Sequence, residues 1–372
     1  VAKTLANSIL LGTFIIVLAA CQQSPDNDKD SSEAGYRFLV IKPQDKNYTF
    51  AEAHLTTVES VFPFRGSTIS FLTEPQINQG NLNGTVAELN ISKSDKGYFF
   101  AKDNLSLQLL TLYHSFEKLR AFDTSLKLKS GEVLDKYNRW PLKIFVDANL
   151  KVQTGFAENN VLYTGKFHSL LFVPYTESEL PLMVNFGVMS HEHFHGLFYN
   201  FVGHLFNYDE LTNYHKILLR AIDEGLADVW GLIMSDDENF VGRSLPSEEM
   251  ARKLTSKPVV ILKQKDLEAM AKYNDEATLI SIAYEYGSQM AKTIVLMLAK
   301  VESKQQRAAI VFDVLKDFKD QLQKESDFKK QIPANWMIKS FANKLGTVDK
   351  KSCEVLELWE SLKSDLPLWG CK

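Results

Sequence analysis

Val188-Met189-Ser190-His191-Glu192-His193-Phe194-His195-Gly196-Leu197 is the stretch from which the rest of this chain can be read. Apolar residues at 188, 194, 197, 198 and 201 recur at helical spacing, so 184–204 reads as a helix. One turn separates His191 from His195, which sets both imidazoles on one face, within reach of a single ion. Glu192 is turned toward the open side of such an ion. His193 falls off that face and reads as a supporting or surface histidine. With 8 His and 46 acidic residues in 372, a chance His-Glu-x-x-His arises in roughly one such chain in a hundred. The pattern alone is suggestive, so a second segment has to decide.

That segment is Ala221-Ile222-Asp223-Glu224-Gly225-Leu226-Ala227-Asp228, inside a helical stretch over 211–234. A catalytic zinc keeps three protein ligands and one open position. Glu224 supplies the third ligand, and His204 and His215 are the remaining histidine alternatives. Asp228, one turn further on the same face, can accept a hydrogen bond from the outer nitrogen of a ligating histidine. Two carboxylates at i and i+4 repel on a bare helix, so this pair between Leu219, Ile222, Leu226 and Trp230 calls for a cation. The other reading leaves Glu224 facing solvent and Asp223 or Asp228 as surface charge. The pattern thus implies one Zn2+ on His191, His195 and Glu224. Glu192 would be the general base that takes the proton of a water attacking a carbonyl.

His-Glu-x-x-His followed by Glu-Gly-Leu-Ala-Asp resembles the thermolysin-like and related glutamate-ligand zinc peptidases (gluzincins). The resemblance spans roughly residues 104–300 and is strongest at 191–195 and 224–228. It implies a peptide or protein substrate, the ligand role of Glu224 and the supporting role of Asp228. It further implies that the Asn160 side chain and the Val161 backbone hold an extended peptide along an edge strand; an asparagine-rich turn is the other reading. An oxyanion donor is expected downstream of the third ligand. In Ala283-Tyr284-Glu285-Tyr286-Gly287 the candidates are Tyr286 and Tyr284, with His168 and Tyr163 as further choices. The gap between His195 and Glu224 is longer than that family uses, with the extra length expected around Asn207–Asn213. No calcium loop of the D-x-D-x-D-G kind is present in the sequence.

The periodicities predict an α+β fold: a mixed α/β N-terminal half, then a mostly helical C-terminal half, in a zincin-like architecture. Strand patterns occur at 36–41, 67–72, 84–91, 97–101, 142–147 and 170–175, with a helix over 105–119. Beyond residue 184, helices are expected at 184–204, 211–234, 247–255, 264–272, 274–301, 305–325, 334–343 and 351–363. The division is 1–20 signal peptide, 21–35 polar tether, 36–184 mixed region with the substrate-edge strand, and 185–372 helical region with the metal site.

Residues 1–20 carry Lys3, an apolar run from Ile9 to Ala20, and then Cys21. This is the layout of a bacterial secretory signal, and Leu18-Ala19-Ala20-Cys21 resembles a lipobox. The expectation is an exported protein lipidated at Cys21, in the bacterial cell envelope; Gln22 favours the outer membrane. Membrane contact would be through that anchor only. The mild charge of −4 argues neither for nucleic acid nor for a polybasic membrane surface, and no nucleic-acid partner is expected. Cys353 and Cys371 remain, and in an oxidising compartment they are expected to form a disulfide. A zinc hydrolase of another substrate and a non-catalytic binding lipoprotein stay as alternatives, and the sequence does not fix the oligomeric state.

Overall fold

The computed structural model describes residues 35–44, 47–152, 155–176, 180–246, 252–256, 261, 263–273, 275–324 and 332–371. The signal-like segment, Cys21 and most of the tether lie outside these, as does most of the helix expected over 247–255.

In chain order the strands are β1 (Tyr36–Gln44), β2 (Asn47–Leu55), β3 (Val58–Val61), β4 (Phe64–Gly66), β5 (Ile69–Asn78), β6 (Asn81–Val86), β7 (Ile91–Lys93), β8 (Phe99–Ala101), β9 (Leu142–Phe145), β10 (Lys151–Val152), β11 (Gly155–Phe156), β12 (Val161–Thr164) and β13 (Ser169–Phe172). One sheet runs β2-β1-β8-β7 and a second runs β12-β13-β9-β5-β6. In the second, β13, β9 and β5 are parallel, with Ile144 opposite both Leu170 and Phe71. All four residues of β13 are buried, as the continuous run Ser169-Leu170-Leu171-Phe172 requires of a strand covered on both faces. Antiparallel β12 forms an edge.

The sequence expected one strand over 84–91. The structure instead ends β6 at Val86 and starts β7 at Ile91, in different sheets. The crossing between them is tied down by Ala87 N–H to Phe71 O and Asn90 N–H to Ser106 Oγ.

The helices are α1 (Asn104–Ser125), α2 (Phe186–Phe201), α3 (Asn213–Ser235), α4 (Phe240–Ser244), α5 (Gln264–Met270), α6 (Glu276–Leu298), α7 (Lys304–Lys324), α8 (Trp336–Leu345) and α9 (Lys350–Leu356). The helix expected over 351–363 stops at Leu356, and a short 3-10 turn follows at Glu360–Leu362. The Cys353–Cys371 disulfide is present, with Cα atoms 5.5 Å apart, tying α9 to the tail. Residues 35–372 form a single contact unit, so the change of character near residue 184 occurs within one body.

Helix α2 is buried along most of its length. Asn185 caps it, accepting from the N–H groups of Gly187 and Val188 while its amide donates to Phe240 O and Ser244 Oγ. Away from the two histidines, Phe194 of α2 meets Trp230 of α3 and Phe312 of α7 at centroid distances of 5.8 and 6.0 Å. Trp230 also lies edge-on to Phe122 of α1 at 5.8 Å. Burying these rings supplies about 1.5–3 kcal/mol each, which fixes α2 and α3 against each other.

On another side of α3, Gly225 crosses Gly287 of α6. A Cβ at Gly225 would lie 2.6 Å from Gly287 O, and one at Gly287 would lie 2.8 Å from Ala221 O. The two backbones touch only because neither position carries a side chain. Gly225→Ala is therefore expected to destabilise the fold by about 1–3 kcal/mol, read as a lower urea midpoint. An unchanged midpoint would mean that α3 and α6 do not meet there.

Candidate metal centre

His191 and His195 project from one face of α2 toward α3. Their Nε2 atoms are 3.1 Å apart. Glu224 Oε2 lies 3.5 Å from the first and 3.8 Å from the second. Three atoms so spaced have a common centre about 2.0 Å from each, the length of a zinc–nitrogen or zinc–carboxylate bond. This trio is the group that could hold a metal ion among the described residues.

The outer nitrogens show why a cation belongs there. His195 Nδ1 is 2.8 Å from Asp223 Oδ1, so its N–H donates outward to that carboxylate. His191 Nδ1 is 2.9 Å from Asp228 Oδ1, though off the line of a well-formed hydrogen bond. With a proton held on each outer nitrogen, both inner nitrogens present lone pairs to one another at 3.1 Å. Only a shared proton or a metal ion makes that approach favourable.

The charges agree. Burial alone would lower the pKa of His195, but Asp223 and Glu224 reverse this and push it up to about 10. Burial would raise Glu224, yet His195 and His191 hold it down to about 2. Surroundings that retain a proton so strongly also favour a divalent cation.

Glu192 is buried beside this trio. Burial lifts its carboxyl above the ordinary range, against the pull of His195 and His191. A raised carboxyl suits a group that must accept a proton and later release it. Asp228 is almost wholly buried and also ion-pairs with Arg252, whose guanidinium offsets part of the acidic charge on α3.

The centre opens into a cavity of about 260 Å³ whose walls include Asn160, Val161, Tyr163, Tyr208, Arg220 and Tyr284. Of the two tyrosines of the 283–287 segment, Tyr284 faces this cavity and has Glu224 within hydrogen-bonding reach. Burial, then the charges of Glu224 and Glu192, raises its pKa, so it remains a neutral donor. Tyr286 does not belong to the centre, correcting that expectation. It is fully buried, and its hydroxyl donates to Ala334 O at 2.7 Å; two residues along a helix is about 200° of rotation, which sends the two rings to different sides.

Tyr163 also lines the cavity, but its hydroxyl meets His168 Nδ1 at 2.8 Å. His168 Nε2 in turn lies 2.6 Å from Arg139 O, so Nε2 carries the hydrogen and Nδ1 accepts from the tyrosine. His193 is buried rather than at the surface, with Nε2 2.6 Å from Asp123 Oδ2 and its ring stacked on Trp140. His204 and His215 stand apart, one near Tyr199 O and the other near Thr212 Oγ1. Asn160 and Val161 sit at the start of edge strand β12 on the cavity wall. Asn160 Oδ1 accepts from Val161 N–H.

Four residues at the centre had no role in the sequence reading: Asp223, Arg252, Tyr208 and Arg220. Asp223 left one signal, because two ligating imidazoles need two outer acceptors and Asp228 can serve only one. Arg252 left none.

Compared with protein-family models, curated proteins and solved structures, the chain finds no match. Its class rests on the centre and the fold: a mixed β/α region followed by a mostly helical one, in a zincin-like architecture, with a His-Glu-x-x-His plus distal Glu cluster able to coordinate a metal ion. That cluster is consistent with a gluzincin-type active site and gives the protein the catalytic potential of a zinc hydrolase.

Asp223→Asn and Asp228→Asn are each expected to weaken zinc affinity by about 10–100-fold, measured by competition with a chelator, while His215→Ala leaves it unchanged. Wild-type affinity in Asp223→Asn would reduce that residue to surface charge.

Proposed function

We propose that this protein is a zinc peptidase that hydrolyses peptide bonds with Glu192 as general base. The observation that carries this reading is the buried Glu192 carboxylate beside the converging donors of His191, His195 and Glu224, in a cavity walled by the edge strand β12. When bound, zinc supplies a Lewis acid that polarises the substrate carbonyl and makes water acidic enough to ionise near neutral pH.

The protein's own residues do the rest. Glu192 accepts the proton of the attacking water and holds it for the departing amine. Tyr284, kept neutral, donates to the oxygen that gains charge as the carbonyl becomes tetrahedral. Asp223 and Asp228 hold the two imidazoles in the tautomer that leaves Nε2 free.

Strand addition supports a peptide over a small ester. Asn160 O accepts from Val173 N–H, and antiparallel pairing alternates inward and outward groups. The backbones of Val161 and Tyr163 therefore turn to the open edge beside the cavity, where the Val161 N–H is already held by Asn160 Oδ1 and its carbonyl is left for a partner strand. An extended peptide laid there would form main-chain hydrogen bonds regardless of its side chains, and the Asn160 amide nitrogen would be available to it. Residues 1–21 support export and anchoring at Cys21 in the cell envelope, on sequence grounds.

Glu192→Gln is expected to retain one zinc per chain while losing turnover of a peptide library by about 10²–10⁴-fold, scored by metal analysis and mass spectrometry of products. Tyr284→Phe should lower kcat by about 10²–10³-fold with KM little changed. Undiminished cleavage by Glu192→Gln would overturn the mechanism.

A further inference from the structure

Helix α3 presents one further row of side chains to the cavity. Arg220 lies one turn before Glu224, and Lys216 one turn before Arg220. Four residues of helix advance about 6 Å, so these positions lead outward from the metal ligands along one face. Arg220 is exposed, lines the metal cavity, and forms no ion pair among the described residues. Arg252, the other cation on that wall, is already held by Asp228.

Arg220 and Tyr208 also line a second cavity of about 190 Å³, which Lys216 borders together with the acidic side chains of Asp209 and Glu276. Arg220 and Tyr208 are where the two cavities meet. Tyr208 belongs to the segment between α2 and α3 whose length departs from the thermolysin-like spacing. That segment folds as short 3-10 turns at Gly203–Leu205 and Tyr208–Glu210, and it brings the phenol within electrostatic reach of Asp223, Arg220 and Glu224. A tyrosine phenol is neutral at neutral pH without any help from its surroundings. The extra length thus supplies a neutral hydroxyl donor beside a guanidinium with no carboxylate of its own. Planar guanidinium groups pair with carboxylates through two parallel N–H bonds, and a tyrosine hydroxyl can add a third donor.

We propose that Arg220 and Tyr208 form a carboxylate-binding subsite, so that the preferred substrates are peptides with a carboxylate within about two residues of the cleaved bond. An extended chain advances about 3.3 Å per residue, and two residues span the 6 Å of α3 between Arg220 and Glu224. The carboxylate is either the C-terminus of the peptide or an Asp or Glu side chain. This subsite rests on the peptidase reading for its consequence but not for its existence, and the experiment separates the two.

Matched random peptide libraries with free-acid and amidated C-termini are offered to the zinc-loaded full chain, and cleavage positions are read by mass spectrometry. Selective cutting within two residues of a free C-terminus, lost on amidation, identifies the terminus as the source. Cuts flanked by Asp or Glu in both libraries identify the side chain. Arg220→Ala should reduce the preference for carboxylate-bearing peptides by about 10- to 100-fold, and Arg220→Lys should restore part of it. Cutting without any carboxylate preference, or a preference that Arg220→Ala leaves intact, overturns the subsite.

The same libraries are also retained on zinc-loaded Glu192→Gln protein with and without Arg220→Ala. Carboxylate-selective retention that depends on Arg220, with no cleavage by the unsubstituted chain, would sink the peptidase reading and keep the subsite. Retention indifferent to the carboxylate, or no retention at all, overturns the subsite.

Discussion

Across the interface of α2 and α3, two imidazoles face three carboxylates, and nearly every other feature of the centre follows from how those five groups are arranged. Asp223 and Asp228 hold the outer nitrogens of His195 and His191. The inner nitrogens are left to converge with Glu224 on one point. Buried charge of this kind costs several kcal/mol per ion unless it is paired, so the cluster cannot by itself hold the helices together. The apolar contact of Phe194, Trp230 and Phe312 on the other side of α2 and α3 offsets that cost. The acidity of the site suits a cation, and it is tolerated because the helices carrying it are packed for other reasons.

The cavity in front of this cluster has walls of unlike origin. One is the edge of a mostly parallel sheet, where β12 ends the pairing and leaves backbone groups open. Another is α6, which approaches α3 closely enough to bring Tyr284 near Glu224 because Gly225 and Gly287 lack side chains at the crossing. Behind Glu192, the buried pair of His193 with Asp123 links α2 to α1, with Trp140 stacked against the imidazole. Glu192 therefore stands on a helix fixed at two points, by Asn185 at its start and by this pair near its middle.

Between α2 and α3 the chain takes a longer path than the thermolysin-like spacing. Its short turns carry Tyr208 to the mouth of the metal cavity, where Arg220 of α3 also points. Length that looks like a mere departure from a motif thus sets the chemistry of the cavity's outer end.

His191, Glu192, His195 and Glu224 were legible in the sequence because helical periodicity converts spacing into a shared face, and both helices are long and strongly patterned. The α+β division was legible for similar local reasons, and the Cys353–Cys371 pair because those two cysteines remain once Cys21 is set apart in an exported chain. Residues 47–66 carried strands that pattern reading did not assign, and 84–91 read as one strand although its ends join different sheets. Alternation reports which residues can be buried but not which neighbour buries them. Tyr284 and Tyr286 were equivalent in sequence, and only the packing of α6 against α3 and the Ala334 carbonyl separated them. Arg252, Tyr208 and Arg220 were decided by tertiary structure alone, and Asp223 was foreshadowed only by the need of a second imidazole for an outer acceptor. Arg252 meets Asp228, and Asp223 meets His195, from far along the chain, and no local spacing encodes such a meeting.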